Sequence, residues 1–377
     1  MIATEEQVMI RDMARAFAAA QIAPHAAQWE AEAHFPRHIY EAMGKLGLMG
    51  MTVPQEWGGA GLDYVTYAMA LEEIAAGDGA IAIVMSGHNS VGCMPILEYG
   101  SQAQKERYLR PLAQGEMLCA FALTEAKGGS DAGALTTRAV RDDDGYVING
   151  TKQFITTGKN AELTLVFAVT DPDQGKRGIS AFIVPTNTPG YEVVRVEEKM
   201  GLNASDTAQL AFTDMRVSHD ALLGAEGQGY RIALGNLEGG RIGIAAQALG
   251  MARAAFEVAL EYAQEREAFG KAIMEHQAVA FRLAEMATQL EAARQLIWHA
   301  AALRSAGRKC LTEASMAKMF STDMAEKVCS DAIQTLGGYG YLRDFPLERI
   351  YRGVRGARIY EGTNDIQKLV IVRDLVS

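Results

Sequence analysis

The chain has 377 residues, 49% of them hydrophobic and 22% charged, with a net charge of -10 at pH 7. That length exceeds what one simple core accommodates, so two or three domains are expected of an ordinary soluble globular protein. The basic residues do not cluster, which argues against a nucleic-acid partner but leaves room for an anionic ligand held by local donors.

Residues 1–117 read as helical. Thr4 and Gln7 form a capping-box pattern ahead of Ile10, Met13, Ala14 and Phe17 on one helical face. Pro36 opens a second helix through Ile39, Met43 and Leu46. A turn-rich loop, Val53 to Gly61, follows; it has no Lys and no preceding strand, so it is not a phosphate loop. Further helices are predicted at 63–76, 80–97 and 101–114. Ala80 to Leu97 carries no Lys, Arg, Asp or Glu and reads as a core helix.

The pattern changes near residue 118. Leu118 to Leu123, Leu163 to Val169, Ile179 to Val184, Tyr191 to Val196 and Ala208 to Phe212 are short apolar or alternating runs. Asp144-Gly145 and Asn149-Gly150 mark turns. An all-β domain over 118–226 is expected, built as two packed sheets or a partial barrel. From 227 to 377 the chain reads as helical. Val279, Leu283, Met286, Leu290, Ala293 and Ile297 recur at steps of four and three, the seam of a bundle.

The N-terminal stretch is acidic and lacks a leader pattern, and no uninterrupted apolar run reaches membrane-spanning length, so a cytoplasmic protein without membrane insertion is expected. Cys93, Cys119, Cys310 and Cys329 are scattered and read as reduced, mostly buried thiols. His34 and His38 have metal-like spacing, but Pro36 intervenes and no partner completes a site; no metal is expected.

Arg358-Ile359-Tyr360-Glu361-Gly362-Thr363-Asn364-Asp365-Ile366-Gln367 places a carboxylate on a bend before a helix that Thr363 can cap. Taken alone, it is an ordinary helix start. With the rest of the chain, Tyr360 to Gln367 resembles the C-terminal signature of the acyl-CoA dehydrogenase family, and motifs in the family's order run from the first helix to the end. The resemblance implies an N-terminal helical domain, a middle β-sheet domain and a C-terminal four-helix bundle, an α+β multidomain fold. It also implies FAD as cofactor and Glu361 as the base that removes the α-proton of an acyl-CoA thioester.

The remaining site residues follow from the same resemblance. The segment Phe121 to Asp131 matches one in which Phe121, Leu123 and Thr124 meet the flavin and Ser130 the CoA. Phe154, Ile155 and Thr156 match flavin contacts, with Phe154 where the family usually has tryptophan. Arg266 and Phe269 match an Arg-x-x-Phe-Gly motif that holds the FAD diphosphate and adenine of a neighbouring subunit; arginine suits a diphosphate through its fork of donors. Gln277, Gln334, Gly337 and Gly338 match further FAD contacts, and Thr363 and Asp365 are placed there too. Glu238, Arg241, Tyr360 and Gly362 are assigned to the substrate. Some members carry the base directly before the arginine, where this chain has Gly240. Met85, Gly87 and His88 are expected to set pocket depth.

The expected reaction forms trans-2-enoyl-CoA from a short or short branched acyl-CoA. An electron-transfer flavoprotein is the expected acceptor and a homotetramer the expected assembly. An acyl-CoA oxidase using oxygen, or a non-catalytic flavin or acyl-CoA-binding protein, are the alternatives.

Overall fold

The structure is a computed structural model that describes residues 2–376. Thr4 caps the first helix, Glu5–Phe17, and Gln7 returns the bond to the Thr4 backbone, as its spacing predicts. A short helix, Ala26–Glu32, lies before Arg37–Lys45; its lack of a side-chain cap explains why the sequence does not announce it. The Val53 to Gly61 loop folds tightly on itself. A Cβ on Gly59 would stand 2.1 Å from the Val53 carbonyl oxygen.

Helix Tyr64–Gly77 is buried along almost its whole length, and so is the helical run from Gly79 to Tyr99. Against the sequence expectation, two helical stretches, Gly79–Tyr99 and Gly229–Glu265, are long and apolar enough to cross a membrane. They lie inside the protein instead, with 78% and 72% of their most apolar windows buried. A helix covered on all sides carries the same composition as one in lipid.

Eight strands follow: β1 (Cys119–Ala122), β2 (Arg138–Arg141), β3 (Gly145–Thr156), β4 (Leu163–Val169), β5 (Ile179–Pro185), β6 (Tyr191–Val196), β7 (Thr207–Ser218) and β8 (Leu222–Leu223). They form one connected sheet in the order β6-β7-β3-β2-β4-β5-β8, with β1 parallel to β4. Its two halves join at a single parallel pair, Arg138 with Val169. They also face each other. Tyr146 of β3 meets the Phe182 ring of β5 edge-on at 4.9 Å, and the hydroxyls of Thr164 on β4 and Tyr191 on β6 are 3.0 Å apart. This is the partial-barrel alternative. All of β4 is buried, which is why it reads as a continuous apolar run.

The C-terminal part contains helices Leu237–Glu265, Gln277–Ser305, Leu311–Leu336, Leu347–Ala357 and Asn364–Leu375. The seam residues Leu283, Met286, Leu290, Ala293 and Ile297 are buried, and Val279 partly so. Helix Leu237–Glu265 is central, packing on both Leu311–Leu336 and Tyr64–Gly77. Gly250 permits the second crossing, because a Cβ there would lie 2.1 Å from the Glu72 carbonyl oxygen. Beside it Arg253 pairs with Glu72 (3.0 Å) and Glu73 (2.6 Å), while Arg294 reaches Glu72 (2.8 Å) and Arg15 reaches Glu73 (2.9 Å). This network ties the first helices to the bundle.

One element inside the helical region is a hairpin: Glu267–Ala268 pairs with Lys271–Ala272. Its two turn residues, Phe269 and Gly270, have φ of 54° and 79°, the mark of a type I′ turn.

Candidate active site

Helix Leu347–Ala357 ends shortly before Glu361, which has φ of 57°, and Gly362 follows at 86°. Two left-handed residues in succession reverse the chain. Thr363 then caps helix Asn364–Leu375, its hydroxyl accepting from the Ile366 N–H at 3.3 Å. A non-glycine residue in this conformation costs on the order of 1 kcal/mol and persists only where its surroundings hold it. Here the Gly362 carbonyl accepts from Lys318 Nζ at 2.9 Å and from Gln367 Nε2 at 2.8 Å. Asn364, wholly inside, donates to Thr322 Oγ1 and Asp323 Oδ1, both at 2.9 Å.

The bend aims the Glu361 side chain at helix Leu237–Glu265. A Cβ on Gly240 would stand 1.8 Å from Glu361 Oε1, so only glycine leaves room for the carboxylate. The neighbouring glycines are similarly constrained. A Cβ on Gly239 would lie 3.3 Å from the Tyr64 ring, and one on Gly243 would lie 2.2 Å from Ser86 Oγ and 2.6 Å from the Tyr67 hydroxyl. The adjacent glycines in this helix are therefore close-approach positions. Arg241, between them, is buried and donates to Ser315 Oγ at 3.1 Å.

Burial raises the Glu361 carboxyl above the usual carboxylate range, against the opposing pull of Arg241 and Lys318. Among the described residues, no backbone acceptor meets the Glu361 N–H. Tyr360 donates its hydroxyl to Gln247 Oε1 at 3.0 Å, and Gln247 Nε2 in turn reaches the Gly79 carbonyl at 2.7 Å.

Other residues expected near the substrate are placed differently. Glu238 lies at the start of the same helix with its carboxylate taken by Arg304 (2.9 Å) and Cys310 Sγ (3.5 Å). Met85 and His88 are buried. His88 Nε2 lies 2.9 Å from the Leu112 carbonyl, and burial pushes its imidazole down to about 4. Gly87 does open outward, since a Cβ there meets nothing within 4 Å. Ser130 is exposed beyond the Glu125–Gly128 bridge.

At the sheet, β1 runs into Leu123 and Thr124, whose carbonyls accept from Lys152 Nζ (3.0 Å) and the Gln153 N–H (2.9 Å). Below them Glu125 and Lys152 form a buried ion pair at 2.8 Å, and Glu125 also accepts from the Thr136 and Thr137 N–H groups at 2.6 and 3.0 Å. The β1 end is thereby locked to β3. The β3–β7 register shifts between Lys152 and Ile155, and Phe154 within that bulge has φ of 60° and is 62% exposed. Bulges re-aim side chains, and this one turns an aromatic outward where alternation alone would not. Ile155 points into the core, Thr156 is half-buried, and Phe121 packs on Phe167 at 4.7 Å.

In the bundle, Arg266 leads into the hairpin whose tip presents Phe269, 99% exposed. Arg266, Gly337, Gly338 and Tyr339 line one surface concavity. A Cβ on either glycine meets nothing within 4 Å, so bare backbone borders that space. An exposed guanidinium beside open glycines fits the diphosphate end of FAD, and the outward aromatic of the bulge fits its flat ring. Gln277 and Gln334 are exposed nearby in sequence. Asp365 is exposed and pairs with Lys368 at 3.1 Å, whereas its neighbour Asn364 holds the turn.

Sequence reasoning missed Lys318, Ser315, Thr322, Gln367, Tyr67 and Ser86. A signal existed: Ser315, Lys318 and Thr322 share one face of a helix otherwise rich in buried Ala and Met, so a lysine falls on a core stripe.

Comparison with known proteins identifies the family. Models of the acyl-CoA dehydrogenase N-terminal, middle and C-terminal domains match residues 4–116, 120–215 and 227–376. An acyl-CoA dehydrogenase of Bacillus subtilis (strain 168) is 50% identical over 376 residues, 100% of this chain and 99% of its own. The mitochondrial short-chain specific acyl-CoA dehydrogenase of Rattus norvegicus is 45% identical over 372 residues, 99% of this chain and 90% of its own. The structure of butyryl-CoA dehydrogenase from Megasphaera elsdenii matches with a TM-score of 0.98 at 39% identity, covering 100% of each chain. With a carboxylate presented to a glycine face and all three domain types present in order, the chain belongs to the FAD-dependent acyl-CoA dehydrogenase family of oxidoreductases.

Proposed function

We propose that the protein oxidises short-chain acyl-CoA thioesters to trans-2-enoyl-CoA, with Glu361 removing the α-proton. The observation that carries this reading is the Glu361 carboxylate itself, held on a left-handed bend against Gly240. Its carboxyl is raised by burial, which makes it a stronger base than an exposed glutamate once ionised. FAD, when bound, accepts the hydride from the β-carbon. The Glu361 N–H, free of a backbone acceptor, is placed to donate to the thioester carbonyl and to stabilise the charge that develops as the proton leaves.

The protein's own side chains support a short acyl group. One turn beyond Gly240, Gly243 is closed off by Ser86 and Tyr67, and Gln247 beyond it is fully buried and held from both ends. An acyl chain lying along this face meets fixed polar groups soon after the reacting carbons, which penalises longer chains. Leu123, Thr124, Phe154 and Thr156 hold the flavin ring, and Arg266, Phe269, Gly337 and Gly338 serve the diphosphate and adenine of a neighbouring subunit. A homotetramer and an electron-transfer flavoprotein as acceptor complete the reading.

The test is an anaerobic titration of the yellow holoenzyme with butyryl-, isobutyryl-, 2-methylbutyryl-, octanoyl- and glutaryl-CoA. Butyryl-CoA should bleach the flavin fastest, and octanoyl-CoA poorly. Equal or faster bleaching by octanoyl-CoA would refute the short-chain assignment. Rapid reoxidation by air alone would instead favour an oxidase.

A further inference from the structure

Lys318 lies on helix Leu311–Leu336 and is wholly buried. A buried ammonium is costly unless a carboxylate pairs with it. Among the described residues no carboxylate lies within ion-pair distance of Lys318, although 23 such pairs occur elsewhere in the structure, so burial here is not offset in the usual way. Its Nζ instead donates to two neutral acceptors of one turn, the Gly362 carbonyl and Asn364 Oδ1, both at 2.9 Å. Gly362 is one of the two left-handed residues that set the direction of the Glu361 side chain, and Asn364 begins the helix that follows.

The charges around this pair are few. Arg241 faces Glu361 from helix Leu237–Glu265, and Lys318 faces it from helix Leu311–Leu336. Tyr67 and Tyr360, both held neutral by burial, are the other titratable groups within its influence. Around Lys318 stand Glu361, Arg241, Asp323 and Arg358. Burial lowers the Lys318 ammonium to about 7, and Glu361 is the strongest charge acting to keep it protonated. The two groups are thus linked: each favours the charged form of the other.

We propose that Lys318 is a positioning residue for the oxidation, holding the Glu361–Gly362 turn through the Gly362 carbonyl. This rests on Glu361 being the base. Arg241 is bound to Ser315, one turn earlier on the Lys318 helix, so the helix supports both cations that face the carboxylate. The turn holds Glu361 in a left-handed conformation that a non-glycine residue adopts only at a cost, and Lys318 and Gln367 are the side chains bonded to the carbonyl at its centre. Removing the ammonium frees the turn and takes away one of two positive neighbours. Both effects act on the base.

The experiment compares K318M and K318R with the wild-type holoenzyme. FAD content, butyryl-CoA affinity and the anaerobic rate of flavin bleaching are measured from pH 6 to 9, with E361Q as control. In K318M, FAD content and affinity should stay within about twofold, while bleaching near neutral pH slows about tenfold or more. The midpoint of the rate against pH should move up, because Glu361 has lost a cation. K318R keeps the charge across the whole pH range and alters the donor geometry, so it should slow bleaching with its midpoint at or below that of wild type. If K318M does not fold, K318R alone decides by its rate: slowed bleaching with full FAD content supports the proposal. Wild-type rates and midpoints in the variants that fold, or a midpoint displaced equally in both, overturn it. An E361Q enzyme that bleaches normally would instead overturn the base assignment on which the proposal rests.

Discussion

The contact between Gly240 and Glu361 makes a quantitative prediction. In Gly240→Ala the new methyl would lie 1.8 Å from Glu361 Oε1, whereas ordinary contact begins near 3.4 Å. The carboxylate must therefore retreat by about 1.6 Å. It lies at the end of a flexible side chain, so the retreat costs little stability, and replacing a helical glycine returns up to ~1 kcal/mol of propensity. The cost falls on the reaction instead. A displacement of about 1 Å of a reacting group typically loses ~10²-fold in rate, or ~2.7 kcal/mol of barrier. Stopped-flow bleaching by butyryl-CoA should therefore slow by about two orders of magnitude, with the FAD spectrum and melting temperature unchanged or improved. A Gly240→Ala enzyme within about threefold of the wild-type rate would refute the placement of the base.

Two further outcomes follow from buried charges away from the base. Glu72→Ala should destabilise the protein by about 1–3 kcal/mol in denaturant titrations, because Arg253 and Arg294 each lose one buried partner while keeping another, Glu73 and Glu291. The Glu125 carboxyl is raised by burial but lowered further by Lys152 and its hydrogen-bond donors, to about 2 from 4.5. A depressed folded-state value means stability that is present above pH 4.5 and lost as pH falls towards 2. Glu125→Gln should flatten the stability-against-pH curve in that window.

The reversal at Glu361 shows how far the sequence could be read. Gly362 and Thr363 announce a bend and a cap by residue type alone, and both are where they were expected. The bundle seam and the apolar strands were legible for the same reason: burial imposes a period on the residues themselves. The hairpin at Phe269 was not legible, because a type I′ turn normally calls for Asn-Gly or Asp-Gly and this one uses Phe-Gly. Glu30 is buried and bonded to Asn203 and Arg352, contacts made far along the chain that its own neighbours do not announce. Lys318 was missed for a related reason. Its partners, Gly362 and Asn364, lie more than forty residues away and show nothing locally of what they accept. Which side of the uncharged helix that carries Met85 and His88 faces a ligand is decided by packing, not by pattern.

The central claim is that Glu361 removes the α-proton. The most direct measurement is anaerobic mixing of butyryl-CoA with the wild-type protein and with Glu361→Gln, both at full FAD content, following the flavin absorbance and the exchange of the α-hydrogens with deuterated solvent. Bleaching and exchange in the wild type, with both lost in Glu361→Gln while butyryl-CoA still binds, is the result predicted. Bleaching and exchange at the wild-type rate in Glu361→Gln would contradict it.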